Sequence, residues 1–123
     1  MADLAERQAV FALNVAKLIQ HIFESGYKVT LGEAFRTHEQ AKLYAEQGKG
    51  VANSLHTSRM AIDLNLFSPA GDFLDKSEDH KRFGDFWETL HKDNRWGGRF
   101  KDGNHYEMNK NPFGSIKFNG SVK

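Results

Sequence analysis

SLHTSRMAIDLNLF, Ser54 to Phe67, is the stretch on which the reading of the fold turns. From Ala61 onward apolar and polar residues alternate: Ile62, Leu64 and Leu66 fall on one side, Ala61, Asp63 and Asn65 on the other. A period of two marks a half-buried strand. Asp63 is out of place in it, because strands disfavour Asp and a carboxylate taken from water without a partner is costly. It also stands seven residues after His56.

The segments around this strand alternate between helix and strand signals. Asp3 and Glu6 form a capping-box pattern, and Val10, Phe11, Val15, Leu18, Ile19, Ile22 and Phe23 recur at helical spacing until Ser25-Gly26 ends the helix. YKVTLGEAF reads as a strand with Gly32 as a candidate bulge. Thr37 and Gln40 form a second capping-box pattern and open the helix HEQAKLYAEQ, which stops at Gly48. GKGVANSLHTS is small and polar, hence a loop, and SPAGDF is a turn after the strand. Ser77 or a neighbour caps a third helix whose apolar stripe is Phe83, Phe86, Trp87 and Leu90. DNRWGGRFKDGNHYEMN is turn-rich with room for two short strands, and the tail NPFGSIKFNGSVK reads as solvated. Trp96 is expected in the core. The pattern predicts an α+β fold, a small single domain over residues 1–123 with helices packed on a short, mainly antiparallel sheet.

Composition narrows the chemistry. The 123 residues suffice for one core, and the 17 basic against 16 acidic residues give no electrostatic case for a nucleic-acid partner. There is no cysteine, hence no thiolate nucleophile and no Cys-type zinc site. No apolar run approaches the roughly 18 residues of a membrane span, and MADLAERQAV lacks the order of a signal peptide. A chain made in a cytoplasm, with no membrane span, is the expectation. A metal site here must be built from His, Asp and Glu.

With His56 in the loop before the strand and Asp63 on its polar face, both side chains can meet at one point, where zinc would neutralise the carboxylate. Catalytic zinc takes three nitrogen or oxygen ligands and leaves a fourth position open. One more ligand is needed, and the chain has 6 histidines in all. His21, His80 and His91 fall in predicted helices among charged neighbours and read as solvated surface, as does His38 in the first turn of the second helix. His105 differs, because it alternates with Glu107 around Tyr106 as on a strand, with Asp102 three residues earlier. Spacing leaves Asp102 and Glu107 both open as a general base.

These same residues carry a family resemblance. SLHTSRMAID resembles the Ser-x-His-x-x-Gly-x-Ala-x-Asp motif of the M15 zinc peptidases, the family of D-alanyl-D-alanine carboxypeptidases and dipeptidases and of phage L-alanyl-D-glutamate endolysins. DGNH is similar to its second motif, FRTHEQAKLYAEQG to its Arg-containing segment, and RWGG to the approach to its last strand. The resemblance implies His56, Asp63 and His105 as ligands of one zinc per chain, Asp102 as catalytic base, Arg36 as an active-site cation and Ser54 on the substrate side. Glu107 then becomes a candidate partner of a ligand histidine. Arg59 departs from the motif, standing where Gly is usual, and Gly is the residue that tolerates φ > 0 without cost.

The activity implied is zinc-dependent hydrolysis in the peptidoglycan stem peptide. Cleavage between L-Ala and D-Glu is expected, by a monomeric phage endolysin that accumulates in the host cytoplasm and reaches the cell wall after membrane permeabilisation. D-alanyl-D-alanine carboxypeptidase action is the alternative. A metal-dependent module that binds wall peptides without cutting them is a further rival, and it would have no use for Asp102.

Overall fold

The structure is a computed structural model and describes residues 3–48 and 55–108. Ser54, most of the loop ahead of it and the tail from Asn109 lie outside the described residues.

Helix α1 runs Leu4–Glu24. Its capping box forms: Asp3 accepts the Glu6 N–H at 2.8 Å, and the Glu6 carboxylate accepts the Asp3 N–H at 3.4 Å. Phe11, Leu18 and Ile22 are buried along one stripe, joined by Asn14. Val10 and Phe23 were expected on that stripe, yet they are 39% and 50% exposed. Each sits one position to the side of the run 11, 14, 18, 22, which a rotation of about 100° per residue turns off the packed face.

Strand β1 (Lys28–Leu31) pairs antiparallel with β2 (Ala61–Phe67), with Leu31 opposite Leu64. The pairing then slips. Gly32 donates its N–H to the Asp63 carbonyl at 2.8 Å, while Asp63 donates its own to the Glu33 carbonyl at 2.9 Å. Two residues thus oppose one, as in a bulge. A Cβ on Gly32 would lie 2.8 Å from the Asp63 carbonyl oxygen, so this close approach requires glycine. Helix α2 (His38–Glu46) follows, capped by Thr37 Oγ1 accepting the Gln40 N–H at 3.0 Å.

The other edge of β2 is shared. β5 (His105–Met108) pairs with Ala61 to Asp63, and the short β3 (Phe73–Leu74) with Leu66 and Phe67. β4 (Asn94–Trp96) completes an antiparallel sheet in the order β1-β2-β5-β4. Helix α3 spans Ser77–Thr89, with Lys76 rather than Ser77 at the N-cap position. Ser77 Oγ instead accepts the Gly103 N–H at 3.0 Å and ties the helix start to the turn before β5.

One sheet face meets α1 and α3. Ile62, Leu64, Leu66, Tyr106 and Met108 pack there with Phe11, Leu18, Ile22, Phe83 and Trp87. Trp96 belongs to this core as expected, and its Nε1 donates to the Gly103 carbonyl at 2.7 Å. Strand periodicity turns Asp63, His105 and Glu107 to the opposite face. No helix among the described residues is long and apolar enough to cross a membrane.

Candidate metal centre

Three local devices bring the polar face together. A 3₁₀ turn, Leu55–Ser58, carries His56 and is followed by Arg59 with φ at 58°. The β2–β5 register sets His105 directly opposite Asp63. Glu107, two residues along β5, lies opposite Arg95 of β4. A second 3₁₀ turn, Gly97–Phe100, leads through Lys101 (φ 64°) to Asp102. Gly97 is packed against this return. A Cβ there would fall 2.2 Å from the Asp102 carbonyl oxygen and 2.8 Å from His105 Cβ.

His56 Nε2 and His105 Nδ1 each lie 3.3 Å from Asp63 Oδ1. One donor atom from each of these three residues falls within 4.8 Å of the others, the one such group among the described residues. Both imidazoles are buried, and Asp63 is half-buried. His105 Nε2 meets Glu107 Oε1 at 2.7 Å, which leaves Nδ1 as the nitrogen turned to Asp63. Arg95 in turn holds Glu107 Oε2, through Nε at 2.8 Å and Nη2 at 2.6 Å. The Asp102 carboxylate stands at the rim, 3.9 Å from His105 Nδ1 and half-exposed.

Electrostatics favour a cation here. Burial works against the Asp63 charge, but hydrogen bonds from His105 and His56 outweigh it and hold the carboxyl at about 2. Burial likewise opposes charge on His105, and the bonds to Asp63 and Glu107 reverse this, raising it to about 9. Two carboxylates thus flank one imidazole from opposite sides, so positive charge between them is stabilised. The donor set, two imidazole nitrogens and a carboxylate oxygen, suits zinc, and a carboxylate on the far nitrogen of a ligand histidine is the usual support of such sites. The residues present therefore fit the ion. Asp102 moves the other way: burial raises its pKa, the Asp63 and Glu107 charges add to that, and His105 and His56 partly offset it.

Arg36 is beside the cluster. Its backbone N–H donates to the His56 carbonyl at 3.2 Å, and its guanidinium lies over the Tyr44 ring at 5.0 Å. Nε and Nη2 both bind Glu33 Oε1, the former at 2.7 Å. Nη1 makes no such contact among the described residues. Glu33, whose Oε1 is also 3.9 Å from His56 Nδ1, was not singled out from sequence. Neither was Arg95. Glu33 reaches the centre only because of the bulge, and Arg95 only because of the β4–β5 register, so neither leaves a local signal. His80 needs correction: it is buried, not solvated surface, and its Nδ1 lies 2.8 Å from the Tyr106 hydroxyl. His38 is exposed, as expected. His21 is part-buried and stacks on Phe86 with ring centroids 3.8 Å apart.

Fold and centre together describe a peptidase of the M15 class, and the chain belongs to that family: the family model described as D-alanyl-D-alanine carboxypeptidase matches residues 47–108. That span contains His56, Asp63, Asp102 and His105. Among solved structures, the L-Ala D-Glu endopeptidase ChiX of Serratia marcescens has the same fold, with a TM-score of 0.57 and 19% identity over 67% of each chain. No curated protein matches the sequence.

Proposed function

We propose that this chain hydrolyses a peptide bond of the bacterial peptidoglycan stem peptide, and that the bond joins L-Ala to D-Glu. The observation that carries the reading is the convergence of His56, Asp63 and His105 on one point, with the Asp102 carboxylate at its rim, in a chain of the M15 family. His56, Asp63 and His105 would hold one zinc ion per chain, which when bound supplies Lewis-acid polarisation and makes water a better nucleophile near neutral pH.

The chain's own residues do the rest. Asp102 takes the proton of the attacking water and returns it to the leaving amine. Its raised pKa suits a group that must both accept and release a proton. Glu33 clamps one edge of Arg36, and the remaining Nη1 edge faces the charge that develops on the tetrahedral oxyanion. Glu107 holds His105 in the tautomer that presents Nδ1 to the ion. Ser54 contacts substrate. No covalent intermediate is required, which agrees with a chain without cysteine. The family that the motifs resemble includes phage L-alanyl-D-glutamate endolysins, and we read the protein as one of these, made in a host cytoplasm and acting on the wall as a monomer.

A second reading has its own support. The matching family model is described as a D-alanyl-D-alanine carboxypeptidase, the same chemistry on a different bond. Mass spectrometry of purified muropeptides digested with the zinc-loaded protein separates the two. New L-Ala carboxyl termini are expected. Loss of a single D-Ala would establish carboxypeptidase action, and intact muropeptides would remove the peptidase reading.

A further inference from the structure

Phe100 is an exposed aromatic beside the metal centre. Its side chain is 47% exposed, yet its ring centroid lies 6.2 Å from that of His105 in an edge-to-face arrangement. The Arg95 guanidinium lies over the same ring, 5.1 Å from its centroid. That guanidinium also holds Glu107, which holds His105. One cation therefore fixes both the orientation of a ligand histidine and the attitude of a half-bare apolar ring next to it. A phenyl face kept in water contributes nothing to the core, and burying it against a ligand would recover hydrophobic free energy.

We infer that Phe100 is a specificity-determining residue that contacts substrate, its open face packing on the alanyl methyl group beside the scissile bond. This rests on the peptidase reading given above. Of the two residues flanking that bond, one bears a methyl group and the other a carboxylate. The open ring face offers a carboxylate no hydrogen-bond donor to replace water, and the Asp102 carboxylate two residues along repels it. The methyl side is the one that fits.

Two synthetic stem peptides test this, one with L-Ala before D-Glu and one with Gly there. Wild-type zinc-loaded protein should cut the alanyl peptide about 10-fold better in kcat/KM, as one methyl group in an apolar contact allows. Phe100→Ala should close most of that gap, chiefly through KM, while zinc content stays at one ion per chain and the melting temperature falls by no more than the lost ring contacts account for. Phe100→Leu should keep most of the preference. NMR titration of the zinc-loaded protein with both peptides reads binding apart from cleavage. A protein that prefers the alanyl peptide in binding, loses that preference in Phe100→Ala, and cuts neither would sink the peptidase reading and leave the methyl contact standing. Equal treatment of the two peptides by the wild type, binding of neither, or a preference untouched by Phe100→Ala would overturn the inference.

Discussion

Asp102 and Glu107 sit on opposite sides of one imidazole, and their surroundings divide their roles. Glu107 is 5% exposed and occupied on both oxygens, by His105 and by Arg95. Asp102 is at the rim with a raised pKa, open to water and substrate. Asp102→Asn should therefore keep zinc and fold and lose about 10²- to 10⁴-fold in turnover. Glu107→Gln should act through the metal, with weaker zinc affinity and activity partly restored by added zinc. Elemental analysis beside steady-state kinetics checks both, and an active Asp102→Asn with a dead, zinc-replete Glu107→Gln would exchange their roles. Arg59 is a different kind of residue. It holds φ at 58°, where the family motif has Gly, and its guanidinium lies 4.1 Å from the Phe35 ring centroid. The backbone cost is of order 1 kcal/mol, and an exposed cation–π contact offsets about 0.5–1 kcal/mol of it. Arg59→Gly relieves the strain and loses the contact, whereas Arg59→Ala loses the contact and keeps the strain. The alanine variant should be the less stable of the two, by about 1 kcal/mol in urea unfolding, the reverse of their usual order.

Elements set the centre by register rather than by sequence proximity. The segment from Gly97 to His105 leaves β4, makes a 3₁₀ turn and returns as β5, with Asp102 N–H on the Gly97 carbonyl at 2.8 Å and His105 N–H on the Asp102 carbonyl at 3.1 Å. Gly97→Ala would force a methyl into backbone on both sides. Displacing Asp102 and His105 together should cost about 1–3 kcal/mol of stability and lower both zinc affinity and turnover. Isothermal titration with zinc, read beside melting curves, checks this; wild-type affinity in Gly97→Ala would show that the return is not what places His105. The same distinction explains what the sequence made legible. The α1 capping box and the β2 alternation depend on residues within one turn or strand and form as read, whereas at α2 the Thr37 half of the expected box is the half that forms. The meeting of His56, Asp63 and His105 followed from alternation plus motif. Glu33 and Arg95 did not, because a bulge and a cross-strand partner depend on pairing between segments far apart in sequence.

Across the fold, His80 departs most consequentially from its sequence surroundings, for it links the core to pH. Its neighbours Asp79 and Lys81 are charged, which suggested surface, but the α3 face it occupies is that of Phe83, Gly84 and Trp87, all buried. Its ring meets the Tyr106 hydroxyl at 2.8 Å and a backbone group of Leu74, linking α3 to β5 and to the β3 edge. Burial lowers its pKa below the ordinary 6.5, more than the Leu74 bond and the Asp79 charge raise it. The sign follows from linkage. Above 6.5 the imidazole is neutral whether the chain is folded or not, and this site adds no pH dependence. As pH falls below 6.5 the unfolded chain takes up a proton that the folded chain refuses, so stability is lost down to the lower folded value. The slope contributed by one such group is at most about 1.4 kcal/mol per pH unit. His80→Gln should be less stable than wild type at pH 7, because a buried contact is replaced, yet its unfolding free energy should fall less steeply between pH 6.5 and 5. Urea unfolding at several pH values, with zinc removed so that metal release does not add its own acid dependence, isolates the effect. Parallel pH profiles for the two proteins would show that the His80 cavity admits the proton freely and that acid sensitivity in this fold has another source.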